Sequence, residues 1–176
     1  MNGQVNATSR IIVPCRFAFF NCWRPKTQYN GEPKYSLVMV IDKSDGETID
    51  MIEDAIESIK TQSVQIWGGR IPNNLKLPLR DGDDERNGSS VFKNCYYINA
   101  KSKEPPQIVD SNVQPITDQT EVYSGCYGKV SIVLYSYNIG GSRGISAWLG
   151  NIQKIKDGEP FSGRISAKDE FAAVGK

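Results

Sequence analysis

At 176 residues, with 39% hydrophobic and 23% charged residues, the chain is sized for one domain with its own core, and its composition excludes both a disordered and a membrane-embedded class. Four cysteines lie far apart, without a Cys-x-x-Cys pair or any histidine, which argues against zinc and for free thiols in a reducing compartment. A formal net charge of +1 would on its own argue against a polyanionic partner, but the distribution of charge along the chain reverses that reading.

The first residues carry no basic or apolar leader pattern, and no apolar run reaches the ~18 residues of a membrane span. The expectation is a cytosolic protein with no membrane partner and a flexible N-terminal arm over residues 1–9. Residues 10–20 alternate as a strand, with Ile11, Val13, Cys15, Phe17 and Phe19 on one face and Arg16 and Phe20 on the other; Pro14 marks an edge or a bulge. Next comes a loop holding Trp23-Arg24-Pro25-Lys26. There Trp23 either stacks on a base, with Arg24 and Lys26 on phosphates, or plugs the end of a barrel. Residues 35–41 form a second strand whose nearly continuous apolar run predicts burial on both faces.

From residue 48 to about residue 61 the period changes: Ile49, Ile52, Ile56 and Ile59 recur at helical spacing while Asp50, Glu53, Asp54 and Glu57 face out. Thr48 or Ser44 is the expected cap, and the acidic run is a solvated helix face. Seven carboxylates fall in residues 42–57 and four more (Asp81, Asp83, Asp84 and Glu85) in residues 81–85; outside these two runs, 20 Lys and Arg face 9 Asp and Glu. The remaining surface can therefore carry a basic field. Residues 62–90 are rich in Gly, Pro and Asn and predict a long surface excursion. Its acidic cluster fails as a calcium loop, because Arg86 falls where Gly is required and Phe92 where the bidentate Glu belongs. A metal-dependent nuclease or phosphoesterase built on that cluster stays open as a rival, without a second carboxylate motif to support it.

Residues 95–100 form a short strand with Tyr96 and Tyr97 adjacent, so one of the two faces away from the core. After a turn at Lys101-Ser102-Lys103-Glu104-Pro105-Pro106 and another short strand, residues 121–155 read as a long hairpin. Val130, Ile132 and Leu134 share one face of its first strand; Tyr127, Lys129, Ser131, Val133, Tyr135 and Tyr137 share the other. The segment from Asn138 through Gly144 reverses the chain, and the returning strand carries Trp148, with a bulge expected at Gly150. The outward rings either pack across strands as a second core layer or form a stacking platform for unpaired bases. Residues 166–176 are a short tail, polar apart from Phe171.

About six strands and one helix predict a mainly β protein: a single OB-like (oligonucleotide-binding) antiparallel barrel over residues 10–165, with one amphipathic helix and a long C-terminal hairpin. Trp23-Arg24-Pro25-Lys26, Gly31-Glu32-Pro33-Lys34-Tyr35-Ser36, Pro105-Pro106-Gln107-Ile108-Val109-Asp110, Val122-Tyr123-Ser124-Gly125-Cys126-Tyr127, the stretch from Gly144 through Lys154, and Asp157-Gly158-Glu159-Pro160 resemble the signature segments of a phage-encoded family of single-stranded DNA-binding proteins with an OB fold. The resemblance implies a non-enzymatic protein of the host cytoplasm that coats unpaired DNA without strong sequence preference during replication or recombination. It also implies replication or recombination proteins as partners, and it leaves a homo-oligomer or a virion or scaffold role open. The tail segment Asp169-Glu170-Phe171, followed by Ala172-Ala173-Val174-Gly175-Lys176, departs from the acidic, aromatic-ended tails common in related phage proteins. Physical reading assigns stacking to Tyr127, Tyr135, Tyr137, Trp148, Tyr97 and Trp23, and phosphate contacts to Arg24, Lys26, Lys34, Lys101, Lys129, Arg143 and Lys154. Nothing in the sequence calls for a catalytic residue, a metal or a cofactor.

Overall fold

The late hairpin supplies two long strands of the barrel wall, and their inward residues share one core with those of the earlier strands. A computed structural model describes residues 6–161 and Val174. In it β6 (Tyr127–Ile139) and β7 (Ser142–Lys156) pair antiparallel through a two-residue turn at Gly140 and Gly141. Both glycines have positive φ (57° and 86°), the backbone that matches the right-handed twist of paired strands and that other residues resist. The alternation expected along β6 holds: Val130, Ile132 and Leu134 are fully buried, and Ile145, Ala147, Leu149 and Ile152 of β7 meet them in one core. The predicted bulge is present too, since Gly150 and Asn151 together oppose Ser131.

β1 (Thr8–Thr27) is 20 residues long because it serves two partners. Residues Thr8 to Arg16 pair with β6, and from Arg16 onward the strand pairs with β2 (Pro33–Asp42). A strand that changes partner midway bends the sheet round, and here it starts the closure of a barrel. Thr8 and Ser9 lie in this ladder opposite Tyr135 and Leu134, so the end of the expected N-terminal arm is part of the sheet; residues 1–5 of that arm lie outside the described residues. β2 pairs with β4 (Cys95–Ser102), which carries β3 (Arg80–Asp81) on its outer edge, while β5 (Ile108–Val109) lies along β7. The ring closes where Lys101 of β4 meets Trp148 of β7. That last pairing is parallel, so the barrel is mixed and not wholly antiparallel as expected.

β2 is buried on both faces, as its apolar run predicts. Leu37, Met39 and Ile41 point into the barrel, and Val38 and Val40 join Ala18, Phe92 and Tyr97 in a smaller outer cluster. α1 (Gly46–Gln62) packs its Ile49, Ile52, Ile56 and Ile59 against the core beside β1 and β6. Burying four such side chains contributes roughly 2 kcal/mol each before entropy is subtracted. Its N-cap is Asp45, whose carboxylate accepts from the Thr48 backbone amide at 3.2 Å; Thr48, one of the two expected caps, lies inside the helix.

Phe19 overturns one sequence expectation. A register shift between Ala18 and Asn21 inserts an extra residue into β1, so Phe19 leaves the core face and Phe20 takes its place against the core. Phe19 is 54% exposed and sits at φ 47°, a left-handed conformation that costs a non-glycine residue about 1 kcal/mol.

The predicted excursion over residues 62–90 is tied down. Trp67, in a 3₁₀ turn at Val64–Trp67, is buried and donates its indole N–H to the Tyr137 carbonyl at 2.9 Å. Further on, β3 leads into the short α2 (Gly82–Glu85). Among the described residues no cluster of three or more metal-ligating side chains occurs, and no helix is long and apolar enough to cross a membrane.

Candidate nucleic-acid interface

Where β4 and β7 meet, their outward side chains and those of β6 line a groove of about 730 Å³. One wall is aromatic. Tyr135 and Trp148 are diagonal neighbours on β6 and β7 and stack at 4.0 Å between ring centroids, 20° from parallel; Tyr137 follows at 6.3 Å from Tyr135. Trp148 remains 51% exposed despite that stack, so part of the indole is free to meet a ligand. A glycine makes the corner possible. A Cβ on Gly144, opposite Tyr137, would lie 2.6 Å from the Lys76 carbonyl and 2.7 Å from the Tyr137 hydroxyl.

The rest of the groove is cationic. Lys34, Lys76, Arg80, Lys101 and Lys103 line it against a single lining carboxylate, Glu104, with Asn99 and Ser102 between. Lys101 stands directly across the β4–β7 pairing from Trp148, which puts a cation beside the largest exposed ring of the groove. Several of these charges have placeholders. Glu32 reaches Lys103 at 3.0 Å and Lys34 at 3.7 Å, Gln28 accepts from Lys101 at 2.9 Å, Lys76 donates to Ser142 at 3.1 Å, and Arg80 pairs with Glu85 at 3.0 Å. The hydrogen bond from Lys103 holds the Glu32 carboxyl below the usual glutamate range. Ion pairs this open to solvent are weak, so a strand of phosphates can take their place.

Of the side chains expected to contact DNA, Tyr135, Tyr137, Trp148, Lys34 and Lys101 therefore come together in one groove. Lys26 lines the adjoining hollow and Arg24 is exposed. Arg143 lines a small cleft with Arg70. Tyr127 and Lys129 sit at the far end of β6, eight and six residues from Tyr135, or roughly 26 and 20 Å along a strand, in a separate hollow with Arg16 and Phe161. There the Arg16 and Lys156 charges lie 4.9 and 4.8 Å from the Tyr127 ring.

Three expectations fail. Tyr97 does face outward, but Phe92 covers it edge-on at 5.0 Å and leaves it 2% exposed, so it cannot receive a base. Trp23 is the barrel plug: its indole N–H donates to the Val122 carbonyl at 3.0 Å and its ring packs on Phe20 and the core. Lys154 is occupied by Asp157 and the Glu121 carbonyl and is mostly buried.

Sequence reasoning missed Lys76, Arg80, Asn99 and Lys103. Lys103 was within reach, two residues after Lys101 in a basic turn, whereas Lys76 and Arg80 arrive from the excursion through long-range pairing with Gly144 and Tyr97. The acidic cluster resolves as structure. Asp81 and Asp83 each bind Lys43 at 2.8 Å, which holds both carboxyls below the usual aspartate range, and Glu85 holds Arg80. Burial pushes the Cys15 thiol up and the Cys22 thiol up to about 12, so neither is a nucleophile near neutral pH; all four cysteines are free.

An OB-like barrel with stacked rings and cations along one exterior groove defines the class of single-stranded nucleic-acid binders. More narrowly, the family model described as Enterobacter phage Enc34, ssDNA-binding protein matches residues 8–176, and the chain belongs to that family. A protein named p50 from Acyrthosiphon pisum secondary endosymbiont phage 1 is 32% identical over 169 residues, covering 89% of this chain and 88% of that one. Among solved structures, the single-stranded DNA-binding protein from bacteriophage Enc34 in complex with ssDNA superposes with a TM-score of 0.76 at 22% identity, over 92% of this chain and all of that one. The single-stranded DNA-binding protein gp2.5 of bacteriophage T7 gives 0.59 at 14% identity, over 96% of this chain and all of that one. These structural likenesses establish the fold: a mainly β, OB-like barrel with one main helix.

Proposed function

We propose that this member of a phage ssDNA-binding family coats unpaired DNA in the host cytoplasm during replication and recombination, without enzymatic action and without strong sequence preference. Bases stack on Trp148 and on the Tyr135–Tyr137 side of the groove, and phosphates replace the placeholders on Lys34, Lys101, Lys103, Lys76 and Arg80. One observation carries the reading: Trp148, stacked on Tyr135 yet half exposed, lies directly across from Lys101. A ring offers a π face to any base, and this accounts for tolerance of sequence. The Enc34 relative solved with ssDNA bound supports the ligand class. Against the nuclease rival, Asp81 and Asp83 of its four carboxylates are both held by Lys43, and Glu85 pairs with Arg80.

Titrating labelled oligo-dT at several salt concentrations tests this. With three to five phosphates neutralised, log affinity should fall with log salt at a slope between about −2 and −3.5, and a duplex of equal length should bind far more weakly. Equal affinity for duplex, or no binding, contradicts the proposal.

A further inference from the structure

We infer that Phe19 and Arg86 form a second base-stacking station, separate from the Trp148 groove, on the same strand path. This rests on the proposed binding of unpaired DNA and extends it to two residues that no sequence pattern assigns to DNA. The bulge in β1 turns the Phe19 ring out of the barrel at a left-handed φ, and one side of that ring lies on Phe92, 6.1 Å away and 12° from parallel. Phe92 is itself buried, so Phe19 rests on a fixed support while more than half of it meets solvent. A strained backbone that presents a supported ring to water is the reverse of what core packing selects.

The chemistry around the ring selects the ligand. The Arg86 guanidinium lies 5.9 Å from the Phe19 centroid and is held over Phe92 and Tyr97 at 5.1 and 5.4 Å, leaving its edge for a phosphate or a base. The hollow containing Phe19 and Arg86, about 350 Å³, also takes in Lys26 and the fully exposed Tyr29, and shares Asn99 and Lys101 with the Trp148 groove. The two stations are thus continuous. Trp148 pairs with Lys101, Lys101 with Ser36, and Ser36 with Asn21, which puts Asn21 three strand spacings from Trp148, about 14 Å across the barrel wall, and Phe19 two residues before it, roughly 6 to 7 Å further along β1. An apolar protein partner would not need that shared lysine floor; a strand with alternating bases and phosphates does.

A ladder of oligo-dT from about 4 to about 20 nucleotides, titrated against wild type, Phe19→Ala, Phe19→Leu, Arg86→Ala and Trp148→Ala, tests the inference. Phe19→Leu keeps apolar bulk over Phe92 and guards against misfolding, which a melting curve checks. The expected result is a loss of about five-fold or more in both Phe19 variants on oligomers long enough to span both stations, and no loss on the shortest that bind; Arg86→Ala should follow the same length dependence. If Phe19→Leu and Phe19→Ala match wild type at every length while Trp148→Ala is weakened, the second station is refuted and the groove stands. If wild type binds no oligomer, both fall.

Discussion

Trp148 and Tyr97 both stand on outward positions of barrel strands, but Phe92 covers only Tyr97. The difference separates ligand contact from packing and predicts opposite outcomes. Trp148→Ala should weaken oligo-dT binding by about 1 to 3 kcal/mol, roughly five-fold to more than a hundred-fold, whereas Tyr97→Phe should leave affinity within about two-fold. Parallel titrations with the same oligomer check both. Strand alternation shows that one of Tyr96 and Tyr97 points outward; it does not show that the turn just before β4 folds Phe92, five residues back, over Tyr97. Glu32 is informative in another way. It occupies the space between Lys34 and Lys103 that a phosphate would take, so Glu32→Gln should tighten binding and make the salt slope more negative by up to about 0.7 for each lysine it frees. Unchanged affinity and slope in that variant would show that phosphates pass elsewhere.

Among the elements, the helix and the hairpin were legible because each repeats one short-range pattern over many residues. The four isoleucines predicted for the core side of α1 are the four found buried there. Ile52→Ala should accordingly cost about 2 to 5 kcal/mol in denaturant unfolding while folded protein retains its oligo-dT affinity. The β1 bulge was not legible, because an inserted residue shifts the phase of everything after it and only the partner strand reveals the shift. The parallel β4–β7 closure was hidden for a related reason: one residue pair joins segments almost fifty positions apart. Gly144 belongs to this scale, since it admits the Lys76 backbone beside Tyr137. Gly144→Ala should lower both melting temperature and oligo-dT affinity by displacing the aromatic wall, and a variant that changes neither would show that this close approach is dispensable.

At the scale of the molecule, charge is sorted by place. A net charge of +1 coexists with a groove lined by five cations and one carboxylate, because acids are gathered on the exposed face of α1 and in the short turn where Lys43 and Arg80 pair with three of four carboxylates. Asp81 and Asp83 have folded-state pKa values depressed by hydrogen bonds from Lys43, so their contribution to stability is present above the unfolded aspartate value near 4 and is lost as pH falls through the folded values. Between about pH 5 and about pH 3 the melting temperature of wild type should therefore fall more steeply than that of Lys43→Met. The excess of Lys and Arg outside the acidic runs was readable from sequence; which of those cations converge was not, and Lys154, tied to Asp157 three residues on, shows how a local partner withdraws one.

The most direct test of DNA binding in the Trp148 groove is tryptophan emission during oligo-dT titration. Trp67 is buried and Trp23 is held against the barrel end, so the half-exposed Trp148 should carry the response. Oligo-dT should quench wild type and Trp23→Phe alike and leave Trp148→Phe nearly unquenched. Full quenching in Trp148→Phe, at unchanged affinity, would contradict the account.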